Sequence, residues 1–251
     1  MQRAQMSVFL ILAVVMLTGV LVLITAKQQE LPQSFPVQGD DRAAAVHAFV
    51  QSCVEQATVK GVIELGLTGG VVIPFMTRPS KVVNDRYVAL YRIGDDILDV
   101  KRSDLEGYLG EWIAVYARGC MDGLTLPVRS LPLVPKVRAS IGDAAIDVTA
   151  NIPIVVPGAS ADLTVNPDYA SRVPVRVWGL IEEARKWALD EKATKGMANL
   201  SRLLQWRKNQ WRATVVPWDA VTTVVLIEDE SQHVAGSSFA FQFATSRGGS
   251  A

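Results

Sequence analysis

Val137–Ile154 reads VRASIGDAAIDVTANIPI, and this stretch decides the fold class. Val137, Ala139 and Ile141 alternate with Arg138 and Ser140, Gly142-Asp143 supplies a reversal, and Ile146, Val148, Ala150, Ile152 and Ile154 alternate again. A two-residue period describes a strand with one buried face, and two such runs about a Gly-Asp turn predict an antiparallel hairpin. Pro153 and Pro157 have no N–H to donate, so they confine the end of the second strand to an edge or a bulge.

Toward the carboxyl end, a turn region rich in Ala, Ser, Asn and Pro leads through Val173–Val177 to a helical period over 180–195. Gly196 breaks it, and residues 199–212 predict a second helix. Two strands follow, Val221–Ile227 and a run in which Phe239, Phe241 and Phe243 face one way and Ala240, Gln242 and Ala244 the other. Residues 246–251, SRGGSA, predict a disordered tail.

Toward the amino end, the prolines of Leu126–Pro135 predict a subdomain boundary. Before it, Val46, Phe49, Val50, Cys53, Ala57 and Val62 recur at helical steps from Asp41, and Gly66 with Gly69-Gly70 stops the helix. Short β-type runs are expected at 71–75 and 86–93, the second with Tyr87, Ala89, Tyr91 and Ile93 on one face. Ser103 and Glu106 have the spacing of a capping box that opens a helix to about Asp122. Its stripe of Leu105, Leu109, Trp112, Ile113, Tyr116 and Cys120 puts Cys120 on the buried face, as Cys53 is on its own helix. With two cysteines in the chain, a disulfide in an oxidising compartment and a pair of buried thiols both fit this placement.

Met6–Ala26, MSVFLILAVVMLTGVLVLITA, contains 21 uncharged residues. A helix of that length crosses a hydrocarbon core of about 30 Å, and the run exceeds the apolar part of a cleaved secretory signal. Arg3 before it and Lys27 after it mildly favour an amino terminus inside. The expected architecture is therefore α+β: a cytoplasmic tail at 1–5, a transmembrane helix at 6–26, a Pro- and Gly-containing tether at 27–40, and an extracytoplasmic mixed domain. That domain divides into a helical or mixed subdomain at 41–125, holding Cys53 and Cys120, and a β-rich subdomain at 126–245 carrying two helices.

Twenty-five basic residues balance 25 acidic ones in a chain of 251 with mean hydropathy +0.22. No net field remains to hold a polyphosphate, so nucleic acid is excluded as a partner. The glycines at 66–70 follow a helix, where the dipole repels anions, and no Lys-Ser or Lys-Thr succeeds them, so they read as a cap and not as a phosphate loop. His47 and His233 lack the spacing of metal ligands. His233 with Asp229 or Glu230 has no nucleophile elbow beside it. Asp95, Asp96 and Asp99, and Glu228-Asp229-Glu230, are acidic groups without the spacing of a calcium loop. No metal, cofactor or catalytic residue is expected. Residues Arg202, Trp206, Arg207, Lys208, Trp211 and Arg212 interleave cations with indoles, a face suited to a partner protein or a membrane surface; the alternative is an amphipathic helix with Leu200, Leu203, Leu204 and Trp211 packed inward.

Arg3-Ala4-Gln5-Met6-Ser7-Val8-Phe9 resembles the archaeal class III, prepilin-like signal sequences. That resemblance implies cleavage between Ala4 and Gln5, although Phe9 stands where the family has Glu. Phe49, Cys53, Gly61, Leu65-Gly66, Gly69-Gly70, Cys120, Ile227-Glu228-Asp229, Gly236 and Phe239–Ala244 resemble uncharacterised archaeal single-span surface proteins. The resemblance supports the architecture and the pairing of the cysteines. Together these readings lead to a membrane-anchored, extracytoplasmic protein with a non-enzymatic binding or assembly role at the cell surface, its partners the bilayer and a protein or further copies of itself. A pilin-like filament subunit processed before Gln5 is the second expectation. A membrane-anchored hydrolase using Asp95, Asp96 or the Glu228–Glu230 carboxylates is the third.

Overall fold

Helix α1 (Gly39–Leu67) ends as its glycines predict. The computed structural model describes residues 39–70, 79–125, 128, 134–158, 161–194 and 200–248. The span expected at 6–26, the Ala4-Gln5 bond, the tether up to residue 38 and the strand expected at 71–75 lie outside them. At the end of α1, Gly69 adopts φ +65°. Its N–H donates to Gly66 O at 3.1 Å and that of Gly70 to Leu65 O at 2.8 Å, the two bonds of a Schellman cap.

After α1 come β1 (Ser80–Val83), β2 (Arg86–Ile93), β3 (Asp96–Ile97) and α2 (Arg102–Met121). Helix α2 starts one residue before the predicted cap. Lys101 occupies the N-cap position without a side-chain bond. Glu106 is drawn away from the helix start because its Oε1 accepts the Ile141 N–H at 2.8 Å, tying α2 to the strand beside it. The predicted hairpin forms as β4 (Lys136–Ile141) and β5 (Ile146–Asn151), with Ile141 opposite Ile146. Strand β5 stops before Pro153, and the chain continues as β6 (Ile154–Val156), which pairs instead with β7 (Leu163–Val165). Strand β8 (Asp168–Val173) adds to β5.

Helices α3 (Val177–Ala193) and α4 (Leu200–Lys208) precede β9 (Trp211–Pro217), β10 (Thr222–Val234) and β11 (Ser237–Ser246). Strands β10 and β11 join through Ala235 and Gly236, at φ +51° and +82°, the left-handed pair that a two-residue hairpin turn requires. The main sheet runs β1-β2-β11-β10-β9, with β3 on the end of β2. Its one parallel pair among the described strands, β2 with β11, joins the first half of the chain to the last.

That pairing crosses the division expected at residue 126. From residue 42 on, the described residues belong to one compact unit, and one core draws on both sides of the proline-rich stretch, from Val50 and Leu109 to Trp187 and Phe241. The reason lies in β2. Its predicted alternation implies one solvated face, whereas Val88 to Arg92 are all buried. Ala89 and Tyr91 enter the main core, and Val88 and Leu90 join Val83, Val224 and Ala244 in a second cluster on the opposite face. Helix α1 reaches each layer: Gln51 Nε2 donates to Ala170 O of β8 at 2.7 Å, Gly61 lies against Leu109 and Trp112 of α2, and Gly66 against β11. Cys53 of α1 and Cys120 of α2 form a disulfide, their Cα atoms 5.6 Å apart.

Candidate interaction surface

Glu183, Trp187 and Asp190 recur at four- and three-residue steps on α3, and Arg202 and Trp206 are four apart on α4, so each set shares one helix face. The two faces meet. Arg202 donates through Nη1 to Glu183 Oε2 at 2.9 Å and through Nε to Asp190 Oδ2 at 2.6 Å, and Trp206 Nε1 donates to Glu183 Oε2 at 2.8 Å. Lys186 Nζ adds a bond to Glu183 Oε1 at 2.6 Å. The Trp187 and Trp206 rings stack with centroids 5.3 Å apart. Burial alone raises the Glu183 carboxyl, but the bonds from Lys186, Trp206 and Arg202 outweigh it and hold the group below the usual carboxylate range.

Helix α4 stops at Lys208, earlier than the sequence predicts, because Gln210 turns to φ +61° and the chain enters β9. Trp211 and Arg212 are therefore strand residues. Trp211 is buried beneath the Arg176 guanidinium, 5.6 Å from its ring centroid. Arg176 in turn holds Asp229, which is 0% exposed, through Nε at 3.0 Å and Nη2 at 2.8 Å. Ser231 completes the group: its Oγ donates to Asp229 Oδ1 at 2.6 Å and accepts from Arg176 Nη2. Arg212 pairs with Glu228 at 2.7 Å on the outer face of the sheet.

These positions take apart the expected face of cations and indoles. Trp206 is 0% exposed, Trp211 is buried, Arg202 is ion-paired inside the α3–α4 seam and Arg212 is paired on a different element, leaving Arg207 and Lys208 at the surface. The alternative inward set is kept in part: Trp211 is buried and Leu203 packs against the core. Leu200 and Leu204 are 71% and 66% exposed, and Trp206 takes the inward position. Tertiary pairing decided this: Glu183 offers an acceptor to an indole and a guanidinium, and a leucine offers it nothing.

The other candidates are dispersed. Asp229 is engaged by Arg176, while His233 lies farther along β10 opposite Ser238. His47 stacks on Tyr169, with ring centroids 4.8 Å apart, and burial pushes the Tyr169 phenol up to about 12. Asp95 pairs with Lys192 at 3.8 Å and Asp99 with Arg185 at 3.7 Å. Among the described residues, no group of three or more His, Cys, Asp or Glu side chains is placed to hold a metal ion, and no helix is long and apolar enough to cross a membrane.

What remains is a surface that the pattern did not reveal. Leu200, Leu204, Arg207, Trp211, Arg212 and Ala213 border a groove of about 550 Å³ between α4 and β9. Trp211 and Ala213 belong to the inner face of β9 and Arg212 to the outer, so the groove runs along the edge of the strand. No protein-family model matches the chain, and no curated protein or solved structure matches it.

Proposed function

We propose that the protein is anchored in a membrane by residues 6–26 and presents its disulfide-bonded domain outside the cytoplasm, where it binds another protein or assembles with copies of itself without catalysing a reaction. The observation that carries this reading is the Cys53–Cys120 bond in a chain that also holds an uncharged run long enough to span a bilayer. Disulfides persist in oxidising compartments and are rare in the cytosol. Leu200 and Leu204, large apolar side chains left in water, support a binding role over a purely structural one.

Intact mass of the full chain extracted from its native membrane, alkylated with and without prior reduction, tests the reading. Both cysteines should take up label only after reduction. Labelling without reduction would place the domain in a reducing compartment and overturn the proposal. The same spectrum addresses a second reading, a pilin-like filament subunit, which Arg3–Phe9 favours: a mass lacking Met1–Ala4 supports cleavage before Gln5, and a retained amino terminus leaves a simple anchor.

A further inference from the structure

The main sheet has two ends, and they differ in kind. Strand β1 is four residues long, follows Pro79, and carries Lys81 in an ion pair with Asp219 at 3.1 Å. Shortness, proline and lysine are the devices by which edge strands avoid pairing with other chains. Strand β9 is less protected. It has seven residues, no lysine, proline only at its last position, and an unbroken register with β10 from Trp211↔Asp229 to Pro217↔Thr223.

The direction of its free backbone groups follows from the ladder. Glu230 N–H donates to Gln210 O and Trp218 N–H to Thr222 O, both at 2.9 Å, at the two ends of the same register. Hydrogen-bonded pairs alternate in an antiparallel ladder, so Arg212, Thr214 and Val216 bond to β10. Trp211, Ala213 and Val215 then direct their N–H and C=O groups to the open side. Among the described residues no strand lies opposite that side.

We propose that two copies of this chain pair antiparallel through their β9 edges, which specifies the surface for the assembly role proposed above and rests on it. The edge is self-complementary. A two-fold axis at Ala213 sets Ala213 opposite its own counterpart and Trp211 opposite Val215, and none of the three is proline, so each N–H meets a C=O. Arg212 falls opposite Thr214 of the second copy, which avoids a like-charge pair. Because this axis stands perpendicular to the sheet, both α4 helices come to the same face, where Leu200 and Leu204 border the junction. Joining the edges removes from water both an open strand and these two leucines.

Thr214 permits a test that spares the fold, since its side chain is exposed and its backbone bonds face β10. The full chain in detergent micelles is weighed by sedimentation equilibrium, with Thr214→Lys, Thr214→Glu and Leu204→Glu as variants. The wild type should be a dimer. Thr214→Lys sets two lysines against two arginines across the axis and should weaken the dimer by about tenfold. Thr214→Glu should match or tighten it, and Leu204→Glu should weaken it. A monomeric wild type, or a dimer indifferent to all three changes, overturns edge pairing. Thiol labelling of the same samples separates the two proposals: cysteines alkylated only after reduction leave the surface-protein reading standing whatever the mass, and cysteines alkylated directly overturn that reading on its own.

Discussion

The guanidinium of Arg176 grips the carboxylate of Asp229 through two nitrogens and at the same time covers the ring of Trp211, the first residue of β9. One side chain thus ties the start of the edge strand to the residue opposite it on β10. A carboxylate without solvent is tolerable only while a cation and further donors satisfy it, and here Ser231 supplies those donors from both its N–H and its hydroxyl.

Removing one partner should therefore cost more than removing both. We expect Arg176→Met to destabilise the fold by about 3 kcal/mol, because it leaves a buried unpaired charge. Combined with Asp229→Leu, the loss should be smaller than the sum of the single losses. Urea unfolding of the four proteins closes this double-mutant cycle. Additive losses would show that the two groups act independently.

The α3–α4 seam should be acid-sensitive. Glu183 titrates below its unfolded value, so its contribution is present above the ordinary carboxylate range and is lost as pH falls through the folded value. The difference in urea midpoint between wild type and Glu183→Gln should be largest near pH 7, begin to shrink as pH enters the ordinary carboxylate range, and close only below the folded value. A difference independent of pH would assign the effect of the substitution to packing rather than to charge.

Reduction should loosen the whole unit. Cys53 and Cys120 are separated by 67 positions, and in the chain-entropy description closing a loop of that size contributes about 4 kcal/mol. Cys53→Ser with Cys120→Ser should lower thermal stability accordingly. The reduced wild type should follow it, which a thermal melt with and without reductant will show.

Gly66 marks a close approach of α1 to the sheet. A Cβ there would meet the Ala240 carbonyl oxygen and come within 2.8 Å of the Phe239 ring. Backbone cannot yield as a flexible side chain does, so Gly66→Ala should destabilise by about 2 kcal/mol despite the better helix propensity of alanine. Gly107→Ala, with nothing within 4 Å of its Cβ, is the control and should be neutral or stabilising.

The elements that were legible from sequence are those whose signals are local. The 137–154 hairpin follows from alternation about a Gly-Asp turn, and the end of α1 from two glycines that reach positive φ without strain. Cys53 and Cys120 were placed inward by helical period. Their pairing needed the packing of α1 on α2. The expected face of cations and indoles is divided between core and surface because composition does not say which side of an amphipathic segment faces in: cations beside tryptophans look the same whether they serve a partner or a neighbouring helix.

By itself, the sequence determined the period of each segment, and with it the mixture of helix and strand and the antiparallel hairpin. It also determined an uncharged run at 6–26 with the length of a bilayer span, because these properties depend on residues a few positions apart. Tertiary structure alone decided that β2 enters the C-terminal sheet, that the described residues from 42 on share one unit, and that Trp206 turns inward while Leu200 and Leu204 turn out. Those outcomes depend on partners far along the chain. Glu183 gives Trp206 and Arg202 an acceptor, and Asp229 gives Arg176 its counter-charge, and a buried polar group goes where its partner is.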